Sequence, residues 1–134
     1  MSPLRRRSAD PQISAAREAF RRVTTELDAA QRVLLGAIAT SRDAGSPLDE
    51  ALDGFLAGVS RAEQAMPSWR IERTEALWRR CAEAIVEARS EAQRLRDDPA
   101  TSTLAFEPLN ARLADVVSPL EEFADVASEI KRLR

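Results

Sequence analysis

A chain of 134 residues with a net charge of −2 is long enough to bury an apolar core as one domain without disulfides or metals to hold it. It contains no His, which excludes the ferritin-like di-iron site, imidazole-dependent zinc sites and every Ser-His or Cys-His nucleophile. Its single cysteine, Cys81, excludes an internal disulfide.

Four glycines, 4% aromatic residues and the absence of Tyr favour helices and offer little to strands, so the predicted class is all-α. Lys131 is the sole Lys, an Arg-for-Lys bias that reads as the mark of a GC-rich bacterial genome. No apolar run approaches the ~20 residues that span a bilayer. No apolar h-region follows the early arginines, so the expected location is cytoplasmic, without a signal peptide.

Residues 1–9 hold Pro3 and the triplet Arg5, Arg6, Arg7 with no apolar period, which reads as a flexible basic arm. Asp10 reads as an N-cap with Pro11 at the first helical position. From there Ile13, Ala16, Phe20, Val23, Leu27, Ala30, Leu34 and Ala37 repeat steps of three and four, predicting a helix over about 11–42. Its opening half has a narrow apolar stripe flanked by polar residues. In its second half Val33, Leu35 and Ile38 widen that stripe to a bundle-type face.

Ala44-Gly45 stops this helix and Ser46-Pro47 starts a short second one, about 47–65, with its seam at Leu48, Leu52, Phe55, Val59, Ala62 and Met66. Gly54 and Gly58 lower its intrinsic stability and leave room for a neighbouring backbone. Met66 to Ile71 is a step of five across Pro67, so the seam loses phase and Ser68 is expected to cap a third helix over about 69–96. Ile71, Thr74, Trp78, Cys81, Ile85, Ala88, Ala92 and Leu95 form the third seam, and Glu75 with Arg79 makes an i,i+4 pair on its outer face. Cys81 reads as a small hydrophobe in that seam.

After Asp97-Asp98-Pro99, Thr101-Ser102-Thr103 supplies cap candidates for a fourth helix, about 104–133. Its seam runs Phe106, Leu109, Leu113, Val116, Leu120, Phe123, Ala127 and Ile130, through Pro119, which should kink or split it. The expected architecture is an antiparallel bundle of four helices with coiled-coil-like heptad packing, one domain over residues 10–134.

At about 1.5 Å per residue the second helix is far shorter than the other three. Laid antiparallel, it covers only the later half of helix one. That leaves Ile13, Ala16, Phe20, Val23 and Leu27 as the expected association face, pairing with a second copy in a homodimer or with another helical protein. The competing arrangement lays the fourth helix along the same face and gives a monomer.

Residues 1–22 carry six Arg against Asp10 and Glu18, and residues 43–63 carry five acids against Arg61. Arg5, Arg6, Arg7, Arg17, Arg21 and Arg22 are therefore the candidate anion-binding set, for nucleic acid or an anionic surface. There is no interleaved aromatic platform and no helix-turn-helix, so nucleic acid is not the favoured partner. Trp69 and Trp78 are the candidates for an apolar ligand pocket. The acidic pairs and clusters fall off the seams, on faces that helical proteins leave solvated. No catalytic, cofactor or metal-binding set stands out, and no phosphate loop, nucleophile elbow, CxxC pair or EF-hand spacing occurs. The expected function is non-enzymatic, carried by protein-protein association.

Overall fold

The structure, a computed structural model, describes residues 10–44 and 48–133. All of its described secondary structure is helical: α1 (Pro11–Ala44), α2 (Leu48–Ala65), α3 (Glu75–Asp97), and a fourth helix in two segments, α4 (Phe106–Val117) and α5 (Glu122–Lys131). Asp10 caps α1 as expected: its side chain accepts from the Gln12 amide at 2.9 Å and its carbonyl from that of Ser14 at 3.0 Å. Gly45, Ser46 and Pro47 lie outside the described residues, as does the 1–9 arm.

The first two seams hold wherever side chains are described. Every seam position from Ile13 to Leu34 is buried, and so is every one from Leu48 to Met66. Neighbours follow from the contacts. Glu26 of α1 accepts from Arg61 of α2 at 2.9 Å, Arg89 of α3 pairs with Glu63 of α2, and Arg96 of α3 reaches Asp53 of α2 at 2.9 Å. On the other side of α3, Arg80 bridges Glu122 at 2.5 Å and Glu129 at 2.6 Å of α5. These pairs lie at the partly exposed edges of the helices, where water screens them, so they set partners more than they hold the fold.

The third helix starts later than its seam implies. Met66–Trp69 winds as a 3₁₀ turn, Arg70 and Ile71 leave the helix, and Glu72–Thr74 makes a second 3₁₀ turn before α3 opens at Glu75. Trp69 thus ends a turn after α2 and does not begin α3, and Ser68 is no cap. The corner is held by Thr74, whose hydroxyl donates to the Trp69 carbonyl at 2.6 Å and accepts from the Ile71 amide at 3.1 Å.

The expected start of the fourth helix is also displaced. Pro99–Thr103 forms a 3₁₀ turn, and α4 begins after Ala105 with no side-chain cap. The Thr101 hydroxyl donates instead to the Leu95 carbonyl at 2.8 Å, satisfying an orphan acceptor at the end of α3. Pro119 splits the helix at the 3₁₀ turn Ser118–Glu121, as the missing amide requires. Downstream, Val126 takes the fully buried position and Ala127 sits half-exposed at the edge.

On the outer face Arg70 and Arg79 both donate to the Glu75 carboxylate, at 2.9 to 3.0 Å and 2.7 Å, and together they hold its pKa down at about 2. A carboxyl depressed from an ordinary 4.5 stabilises the fold fully above that value, and the contribution is lost as pH falls towards 2. Glu75→Gln should therefore melt below the parent at neutral pH, with the gap closing between pH 4.5 and 2. A gap that stays constant down to pH 2 contradicts this assignment.

Candidate functional site

The residues expected to form an association face are consumed inside the chain. Ile13, Ala16, Phe20, Val23 and Leu27 are all buried. Phe20 meets the Trp69 ring edge-on, centroids 5.0 Å apart at 78°, and stacks on Phe123 of α5 at 6.0 Å and 23°. The turn after α2 and the segment beyond Pro119 thus close over the opening half of α1, as in the competing arrangement. Helix lengths alone hide this cover, because it comes from a 3₁₀ turn and a split helix.

Arg17 fastens that closure. Its guanidinium donates to the carbonyls of Ile130 at 3.3 Å and Lys131 at 3.5 Å, and to that of Leu133. A cation at the C-terminal end of α5 offsets both the unsatisfied carbonyls and the negative end of the helix dipole. Arg21 pairs with Glu18 at 2.6 Å, and Arg22 is exposed. The six arginines expected to bind anions therefore do not act as one described set: Arg17 is committed to backbone, and Arg5, Arg6 and Arg7 lie outside the described residues.

Trp69 and Trp78 pack at the corner between α2 and α3. Trp69 is 0% exposed, and its indole N–H donates to Met66 Sδ at 3.2 Å. The indole of Trp78 donates to the Met66 carbonyl at 2.8 Å, with the Arg70 guanidinium 4.0 Å above its ring centroid. Cys81 is fully buried, and burial pushes its thiol up to about 12, so it is protonated and inert at neutral pH.

A concave feature lies between α1 and α5. It is a groove of about 420 Å³. Phe20 and Leu27 of α1 face Leu120 of the Ser118–Glu121 turn and Phe123 and Ile130 of α5 across it, with Ala124 and Ala127 along its edge. Arg17, Arg21 and Lys131 stand at one end, and Asp28 and Gln31 at the other. No sequence pattern marks this groove; the nearest signal is Ala127, a small residue in the fourth seam, with Ala124 one turn before it.

A second feature is apolar and convex. Val33 and Leu35 are 49% and 47% exposed on either side of the buried Leu34. The exposed apolar side chains described on α1 are therefore Val33 and Leu35 and not those of its opening half, the reverse of the expectation from helix lengths; the side chain of Ile38 lies outside the described residues. Among the described residues Phe106 and Val86 are also exposed. Among the described residues no group of three or more acids and cysteine is placed to hold a metal ion, and no helix is long and apolar enough to cross a membrane.

Among the described residues, these observations define an all-helical protein with an apolar groove and an exposed apolar pair on α1. Comparison with protein-family models, curated proteins and solved structures finds no match to any of the three.

Proposed function

We propose that this is a non-enzymatic protein that acts by association with a second copy of itself through the later half of α1. Adjacent exposure of Val33 and Leu35 carries the reading. Three consecutive apolar residues on a helix sweep roughly 200° of its circumference, and here the outer two remain about half exposed. Charge favours a second copy as the occupant: Arg32 is exposed beside the stripe, and Asp49 and Glu50 are exposed in the first turn of α2. A two-fold axis across the stripe brings each Arg32 towards the partner's acids, so complementarity is met twice by one contact.

The same reading takes the four helices as an antiparallel bundle with coiled-coil-like packing. Its support is the order of contacts, rising along α1 at Glu26, Ala30 and Val33 while falling along α2 at Arg61, Gly58 and Gly54. A cytoplasmic setting belongs with it, supported by the free thiol of Cys81.

Sedimentation velocity of the intact protein at micromolar concentration beside Val33→Glu/Leu35→Glu tests the association. The parent should sediment as a dimer and the double variant as a monomer with unchanged helical circular dichroism. A monomeric parent, or a variant that remains dimeric, overturns the reading.

A further inference from the structure

We propose that the groove between α1 and α5 binds a single alkyl chain that ends in an anionic group, independently of the association stripe. Its size suits such a ligand: about 420 Å³ falls inside the range of small-molecule sites, ~300–1,000 Å³. Along α1 the groove runs from Arg17 to Gln31, a rise of roughly 21 Å.

The walls set the class of occupant. Phe20, Leu27, Leu120, Phe123 and Ile130 all border the groove, each 2–6% exposed. These apolar side chains offer no hydrogen-bond partner, so a methylene chain lying along them loses nothing that a polar group would.

Charge sets the direction. Arg17 and Arg21 on α1 and Lys131 on α5 line one end, and Arg21 is paired there with Glu18. Arg17 is held by the carbonyls at the end of α5, which leaves Arg21 and Lys131 as the cations that meet the headgroup. At the opposite end stand Asp28 and Gln31, with Leu120 across from them. An anionic headgroup therefore lies at Lys131 and the tail runs towards Leu120. A cationic headgroup finds no such end, because Asp28 is the single acid lining the groove.

Calorimetric titration of the whole protein with dodecanoate, below its micelle concentration, tests the site. Dodecanoate should bind saturably and shift Trp69 emission, since Phe20 lies between that indole and the groove. Affinity should rise roughly three- to fourfold per methylene from octanoate upward until the chain fills the groove. Arg21→Gln/Lys131→Gln should weaken dodecanoate by about tenfold or more with an unchanged melt. Ala124→Phe, which adds a ring at an exposed position over the groove, should abolish binding. Absence of saturable binding overturns the proposal. So does equal affinity for dodecyltrimethylammonium, or binding that survives Ala124→Phe in a folded variant.

Discussion

Trp69→Ala should cost about 3–5 kcal/mol, the range for removing a buried aromatic side chain. The ring is 0% exposed and is the largest of the fully buried side chains. Its loss removes the edge contact with Phe20 and leaves the Met66 sulfur without its indole donor. Phe20 is the hinge of the effect, because it also stacks on Phe123. A cavity at Trp69 therefore loosens the contact of α5 with α1 as well as the corner after α2. Trp78→Ala is the control. That ring is half-exposed, packed against Arg70 and the Met66 carbonyl, and its truncation should cost clearly less. Urea denaturation followed by circular dichroism measures both. If Trp78→Ala proves the more damaging, the aromatic cluster around Phe20 is not the anchor of this fold.

Periodicity found the faces and missed the neighbours. The seams of α1 and α2 are legible because steps of three and four specify which side of a helix is apolar. They do not specify what packs there. Spacing places Phe20 on an apolar face, which is expected to meet another chain; its partners Trp69 and Phe123 come instead from a turn and from a helix segment about a hundred positions later in the same chain. The Arg17 cap is invisible for the same reason, since Ile130 lies 113 positions away. Local chemistry was misread where one residue type serves two ends: Thr101 resembles an N-cap for the helix ahead and in fact satisfies the helix behind. Sequence did register the break at Pro67 and the split at Pro119, because proline acts on its own backbone. The wide stripe of α1 was likewise visible at Val33 and Leu35. Its exposure was not, since that depends on how far the neighbouring helices reach.

The sharpest test of how α1 and α2 are matched is a pair of glycines one turn apart on α2. Alanine at either position gains about 0.8–1.0 kcal/mol of helix propensity. The surroundings differ. A Cβ at position 58 would sit 2.6 Å from the Ala30 Cβ and 3.4 Å from its Cα, and neither atom yields without moving α1. At position 54 the nearest atom is Val33 Cγ1 at 3.1 Å, the tip of a side chain that is half-exposed and free to turn outward. Gly58→Ala should therefore destabilise, the overpacking cost of about 1–3 kcal/mol exceeding the propensity gain. Gly54→Ala should be neutral or stabilising. Relief of the clash gives the decisive sign: Ala30→Gly alone should cost about 1 kcal/mol, yet in the Gly58→Ala background it should restore stability. The resulting coupling should be about 1–3 kcal/mol, well above the scatter of independent sites. Simple additivity of the two substitutions would mean that α1 and α2 do not cross at Ala30 and Gly58, and the register of the whole pair would need to be redrawn.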